Sequence, residues 1–167
     1  MELKKAIISE CNLYRYELHR IWDKSKPKVL FIMLNPSTAD AMNDDATTIR
    51  CVNYAKRWGF GSMMIGNIYP YRAKSPRRLT AWKTFGERYS VFKENQQHVE
   101  RMVDTADLIV CAWGSNYQGI PKWLEYYDLH YLELCKDGIP PKHPLGNLSK
   151  DLIPKALQTK YENKLII

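Results

Sequence analysis

The run Val29-Leu30-Phe31-Ile32-Met33-Leu34 is apolar throughout and stops at Asn35-Pro36-Ser37. A strand with one wet face alternates apolar and polar residues. A run without alternation reads as a strand covered on both faces, which is the mark of a parallel sheet. Two more runs of this kind follow: Met63-Met64-Ile65-Gly66-Asn67-Ile68, and Leu108-Ile109-Val110-Cys111-Ala112-Trp113 with Gly114-Ser115-Asn116 at its end. Helical patterns separate them. Asp44 or Asp45 is placed to cap a helix with Ile49, Val52, Ala55 and Tyr54 on its apolar side, ended at Gly59. Residues 91–104 suit a helix with Val91, Val99, Met102 and Val103 inward. A short helix over 120–128, with Pro121 in its first turn, and a fourth strand over Tyr131-Leu132-Glu133-Leu134-Cys135 complete the series.

Strands alternating with helices imply an α/β layered domain on a mostly parallel four-stranded sheet. Ahead of it, residues 14–22 alternate, with Tyr14, Tyr16, Leu18, Arg20 and Trp22 on one side and Arg15, Glu17 and His19 on the other. That period predicts a half-buried strand, placed as an antiparallel N-terminal edge. The chain of 167 residues is long enough for one domain that needs no disulfide or metal staple. Cys11, Cys51, Cys111 and Cys135 form no CxxC pair, and no HxH or HExxH spacing points to zinc. No apolar run reaches the roughly 18 residues of a membrane span. The N-terminus leads into no apolar signal region, so the cytoplasm is the expected compartment.

In parallel sheets ligands bind beyond the carboxyl ends of the strands. Those ends are Asn35-Pro36-Ser37, Asn67, Trp113-Gly114-Ser115-Asn116 and the segment holding His143-Pro144-Leu145. Asn35 can close an Asx turn or bind water or a base edge. Asn67, inside an apolar run, needs partners from the backbone or from a ligand with adjacent donor and acceptor atoms. His143 can donate to an oxyanion. Asp40, Asp44 and Asp45 read as caps and solvated acids, with Mg²⁺ binding as the alternative. No Walker-type or GxGxxG loop is present.

The 25 basic and 18 acidic residues leave a net charge of +7. Between Arg72 and Arg101, eight basic residues face three acids, Glu87, Glu94 and Glu100, so +5 of that charge lies in one stretch. Arg72, Lys74, Arg77 and Arg78 there alternate with Tyr71, Trp82, Phe85, Tyr89 and Phe92. This suits phosphate contacts and base stacking on a single strand, or else a basic loop over a small aromatic core.

The segments Leu34-Asn35-Pro36-Ser37-Thr38-Ala39-Asp40, Asp44-Asp45-Ala46-Thr47-Thr48, Arg57-Trp58-Gly59-Phe60, Gly66-Asn67-Ile68-Tyr69-Pro70-Tyr71-Arg72-Ala73 and Ala112-Trp113-Gly114 resemble a bacterial and phage family, domain of unknown function 1643. The order of motifs is also distantly similar to the uracil-DNA glycosylase superfamily. Met33-Leu34-Asn35-Pro36 stands where that superfamily has Gly-x-Asn-Pro, and Asn67 where it ends a strand with a base-reading asparagine. Ala112-Trp113-Gly114 resembles its Leu-Trp-Gly segment. His143-Pro144-Leu145-Gly146-Asn147-Leu148-Ser149 resembles its His-Pro-Ser-Pro-Leu-Ser, one residue longer. The resemblance implies a three-layer αβα sandwich of uracil-DNA-glycosylase type, with nucleic acid or a nucleotide as partner and no cofactor, metal or obligatory protein partner. It implies Asn35 positioning water, Asn67 reading a base with Pro36, Ser37 and Trp113 around it, and His143 stabilising the departing base. Leu145 or Leu148 is then the wedge that fills the vacated stack. Met33 departs from the glycine and is expected to narrow the pocket. A non-catalytic nucleic-acid or nucleotide-binding module is the alternative.

Overall fold

The run at 29–34 lies at the centre of a seven-stranded sheet. The computed structural model describes residues 3–84, 89–136 and 140–157. Phe85, Glu87 and Arg88 of the basic stretch lie outside them. In chain order the elements are β1 (Leu3–Ile8), β2 (Arg15–Ile21), β3 (Lys28–Met33), α1 (Ala46–Arg57), β4 (Ser62–Asn67), α2 (Pro76–Thr84), α3 (Tyr89–Val103), β5 (Leu108–Cys111), a 3₁₀ turn (Lys122–Leu124), β6 (Leu129–Tyr131) and β7 (Lys155–Ala156).

The sheet order is β1-β2-β4-β3-β5-β6-β7. Its four central strands, β4, β3, β5 and β6, are mutually parallel. The flanking strands β1, β2 and β7 run antiparallel to their neighbours. Every residue of β4 and all of β3 after Lys28 are buried, which is why those strands carry no polar alternation. Alternate residues point to opposite faces. Leu30, Ile32 and Met64 pack with Val99, Met102 and Val103 of α3 and Leu79 of α2. Val29, Phe31, Met33, Met63 and Ile65 pack with Cys51, Tyr54 and Ala55 of α1. Helices thus cover both faces of the sheet. Gly66 allows α3 to come close, since a Cβ there would sit 3.0 Å from the Met102 methyl carbon.

Six sequence expectations are corrected. The sheet has seven strands and not the four parallel and one antiparallel expected, because Leu3–Ile8 and Lys155–Ala156 add short edge strands whose burial is too partial to leave an apolar run. The strand at 15–21 is not an edge, since β1 pairs along it, and it is buried on both faces. The last parallel strand is Leu129–Tyr131, upstream of the segment expected. The helix expected over 120–128 is a single 3₁₀ turn, while α2 occupies part of the region read as loop. On α1 the buried face is Thr48, Cys51, Tyr54 and Ala55, and Ile49 is 52% exposed.

The pairing of β1 with β2 passes from Ile7–Glu17 to Ile8–Arg15 and skips Tyr16. This β-bulge shifts the alternation by one residue. Tyr16 and Glu17 both reach α3, while Arg15 reaches Ala39 with Leu18 and Arg20 on the opposite face. Among the described residues no helix is long and apolar enough to cross a membrane.

Candidate functional site

Because β3, β4 and β5 are parallel, their carboxyl ends open on one edge of the sheet. Backbone bonds join the segments that leave them. Ile68 and Tyr69 donate to Met33 and Leu34 at 2.8 and 2.9 Å, Ala73 to Pro36 at 2.9 Å, and Gly114 to Pro141 at 2.8 Å. The last bond holds the His143 segment against the end of β5. Gly114 has φ of +76°, and a Cβ there would approach the His143 Cβ to 3.4 Å, so glycine suits the position on both counts.

Two cavities share this edge. The outer one, of about 340 Å³, is lined by Asn35, Ser37, Thr47, Lys74, Trp113 and His143, with Leu34, Ala73, Ser75, Gly114, Ser115 and Asn116. The inner one holds about 50 Å³ and is lined by Arg15, Met33, Asp45, Thr48, Ile65 and Asn67. It shares Asn35, Ser37, Thr47 and His143 with the outer cavity. Met33, expected to narrow the site, is a wall of the inner cavity.

Asn67 is 1% exposed, and neither its Nδ2 nor its Oδ1 has a hydrogen-bond partner among the described residues. Leaving a buried polar group unpaired costs about 1–3 kcal/mol. Its backbone is secured instead, for Asn95 Nδ2 of α3 donates to the Asn67 carbonyl at 2.9 Å. Arg15 is 3% exposed; its Nη1 donates to Ala39 O at 2.8 Å and its Nε is unpaired. Burial pushes the guanidinium down to about 10, opposed by Asp45, so it stays charged at neutral pH. Trp113 is 1% exposed with Nε1 unpaired. Of the eight buried side-chain atoms without a partner among the described residues, four belong to these three residues. Such clustering points to a ligand and away from scattered packing defects.

Asn35 is oriented differently. Its Nδ2 donates to Pro36 O and Ala73 O, each at 3.0 Å, and more weakly to Tyr71 O at 3.4 Å. Only carbonyls surround the nitrogen, so the amide has one orientation and Oδ1 is its free acceptor. His143 Nδ1 accepts from Leu145 N at 3.2 Å, which leaves the neutral ring's proton on Nε2. Burial lowers the His143 pKa below the ordinary 6.5, with Asp45 opposing, so the neutral form prevails at pH 7.

The structure therefore brings Asn35, Ser37, Asn67, Trp113, His143 and Lys74 to one place. Pro36 is buried beneath and contributes its carbonyl to Asn35. Leu145 is 51% exposed beyond His143, whereas Leu148 is buried against the α1 face and is no wedge. Arg72 Nη1 turns to Asn12 O at 3.3 Å, and Arg77 and Arg78 are exposed on α2 and line neither cavity. The aromatics of the basic stretch pack on one another, with Tyr71 and Trp82 stacked at 5.1 Å and Trp82 tilted on Phe92 at 5.4 Å. The three aspartates hold separate posts. Asp45 caps α1 through Thr48 N at 2.8 Å, Asp44 pairs with Arg20 at 2.6 Å and Lys4 at 2.8 Å, and Asp40 accepts from Met42 N and Asn43 N at 2.8 Å. Among the described residues no group of three or more His, Cys, Asp or Glu side chains could hold a metal ion.

Sequence reasoning missed Arg15 and Thr47. The strand also carries Glu17, His19 and Arg20, so charge alone did not mark Arg15 out. The bulge at Tyr16 concealed which face it served.

Neither a curated protein nor a solved structure matches the chain. A family model described as a protein of unknown function, DUF1643, matches residues 15–145, a span that contains every residue lining the two cavities. The chain belongs to the DUF1643 family.

Proposed function

We propose that the strand-end site takes a nucleobase, and that the protein is a uracil-DNA-glycosylase-like enzyme hydrolysing the N-glycosidic bond of a modified or damaged nucleotide in nucleic acid. The observation that carries this reading is Asn67, fully buried with both amide atoms unpaired at the floor of a pocket that also holds Asn35 and His143. A base edge offers adjacent donor and acceptor atoms that fit both ends of an amide. The outer cavity falls in the volume range of small-ligand sites.

Each group has a task within reach of its geometry. Asn35 Oδ1 accepts a hydrogen bond from water and aims its oxygen at the sugar C1′. The new C1′–O bond forms as the C1′–N bond breaks, the electron pair leaves with the base, and the water's spare proton passes through solvent to the departing base anion. His143 Nε2–H donates to the negative charge that develops there. Asn67 holds the base edge, and Leu145 is exposed beside the mouth as the candidate wedge.

The test is release of free base from oligonucleotides carrying a panel of modified and damaged bases, read by chromatography. Turnover abolished by Asn67→Ala and by Asn35→Ala supports the reading. Binding of the same oligonucleotides without release on any panel member overturns hydrolysis.

A second reading, a non-catalytic nucleic-acid module, draws on a separate groove of about 340 Å³ lined by Arg50, Asn53, Tyr54, Lys56, Arg57 and Lys150. Arg57 is partly neutralised by Asp151 at 2.9 Å, but the other cations there have no acidic partner among the described residues. This reading expects salt-dependent binding of single strands that survives Asn35→Ala and His143→Ala and weakens on charge removal at Lys56 and Lys150.

A further inference from the structure

We infer that Arg15 is the residue that decides which bases the pocket accepts, selecting a ring that presents an oxygen at the pocket floor and rejecting one that presents an amino group there. The inference rests on the reading of the site as a base pocket.

Asn67 alone cannot make that choice. Its side-chain oxygen and nitrogen are both without partners among the described residues, and none of those residues fixes which way the amide faces. One rotation offers donor then acceptor, and the other offers acceptor then donor. An amide free to flip suits a ring edge of the form O=C–N–H and equally one of the form H₂N–C=N. Asn35 shows what a fixed amide looks like, with three backbone carbonyls gathered around its nitrogen.

Arg15 has no such freedom. A guanidinium carries five N–H donors and no acceptor, and it stays charged. Among the described residues only Nη1 has a partner, the Ala39 carbonyl, while Nε is buried and unspent. Arg15 and Asn67 line the same inner cavity of about 50 Å³. A ligand atom seated in so small a space is therefore in reach of both side chains. An exocyclic oxygen there accepts from Arg15 and fixes the Asn67 amide with its nitrogen toward the same oxygen. An exocyclic amine instead sets N–H against N–H beside a buried positive charge, and the guanidinium stays unpaired. Asp45, on the same wall, accepts from Thr48 N and Thr48 Oγ1 as the cap of α1. Its Oδ1 is thereby spent on the cap, and its negative charge acts on the Arg15 guanidinium.

The test uses the full chain and short single-stranded oligonucleotides that differ at one position: uracil against cytosine, hypoxanthine against adenine, and an abasic control. Affinities are measured by fluorescence anisotropy for the wild type, Arg15→Lys, Arg15→Met and Asn67→Ala. The expected wild-type result is a preference for the oxo member of each pair of about tenfold or more. The preference collapses in Arg15→Met and weakens in Arg15→Lys, which keeps the charge and loses the fork. Asn67→Ala lowers affinity for both members and leaves the direction of preference unchanged. Equal affinity for oxo and amino partners in the wild type overturns the inference, as does full preference in a folded Arg15→Met protein. Arg15 also anchors Ala39, so if Arg15→Met does not fold, the wild-type ratio and its change in Arg15→Lys decide. A wild type that binds every oligonucleotide no better than the abasic control overturns the base-pocket reading itself, a result distinct from base binding without preference.

Discussion

On the α3 side of β2, Glu17 accepts from His98 Nδ1 at 2.6 Å and from His19 Nε2 at 2.7 Å. Beside it the Tyr16 hydroxyl donates to Glu94 at 2.8 Å and the Tyr16 ring stacks on His98 at 4.7 Å. On the other side of the same strand, Arg15 leaves Nε unpaired and faces a cavity where Asn67 satisfies neither end of its amide. Both clusters are polar with buried members, Tyr16 and Glu17 in the first and Arg15 and Asn67 in the second, and both draw on the same strand. The first is closed by its own neighbours and stabilises the fold. The second carries an open cost that a ligand would offset, and such costs collect at sites of function.

Replacing one member from each cluster should give opposite results. Asn67→Ala removes an amide that none of the described residues satisfies. Stability is expected to stay the same or rise, while affinity for a base-bearing oligonucleotide falls about a hundredfold through loss of two hydrogen bonds. Thermal melting and anisotropy on the same sample check both halves. A destabilised Asn67→Ala protein would mean that the amide has partners and would break the comparison.

The complementary change is Glu17→Ala, expected to cost about 2 kcal/mol because two imidazoles and a strand lose their shared acceptor. Oligonucleotide affinity should not move. Glu17 also sets an acid limit. Burial raises its pKa, but hydrogen bonds from His19 and His98 outweigh that and bring it down from 4.5 to about 2. The folded carboxylate holds its proton less tightly than the unfolded one. Its contribution is therefore complete above pH 4.5 and disappears as the pH falls toward 2. Urea titrations between pH 5 and 2 should show wild type losing stability more steeply than Glu17→Ala.

The two clusters were unequally legible in the sequence. Strands β3, β4 and β5 announced themselves because burial on both faces leaves unbroken apolar runs, and the parallel-sheet rule then placed Asn35, Asn67, Trp113 and the His143 segment at one edge. Strands β1 and β7 left no such mark, since edge strands of mixed exposure look like loops. Helix α2 was hidden because little of it beyond Leu79 is buried. Arg15 was hidden for a different reason. Strict alternation put it with Glu17 and His19, and one skipped residue at Tyr16 moved it to the pocket. Periodicity reads faces correctly only until a bulge intervenes.

A smaller effect is expected from the turn that carries His143. Gly146 N donates to His143 O at 2.8 Å, and a Cβ on Gly146 would stand 2.9 Å from that same oxygen. The contact is with backbone, so Gly146→Ala must displace the turn. Affinity or turnover should fall about tenfold, the usual scale for slight misplacement of a functional group. The Glu17 cluster is untouched, so the acid limit of stability should be unchanged.

The smallest effect separates the clusters by pH alone. The His143 pKa lies below 6.5 because burial disfavours the charged ring, and the neutral ring accepts Leu145 N–H at Nδ1. Protonation places N–H against N–H at that contact and loosens the segment that aims Nε2. Folding favours the neutral form, so the associated stability is complete above pH 6.5 and declines as the pH falls through the depressed folded value. Affinity should hold steady from pH 8 to 6.5 and then drop a few-fold in the range below, where Glu17 is still fully ionised. His143→Asn should flatten that profile at a lower affinity while leaving the steep loss of stability below pH 4.5 in place. A titration in which binding held steady down to pH 4.5 and fell only with the steep loss of stability below it would tie the pocket to the closed cluster and erase the distinction between the two sides of β2.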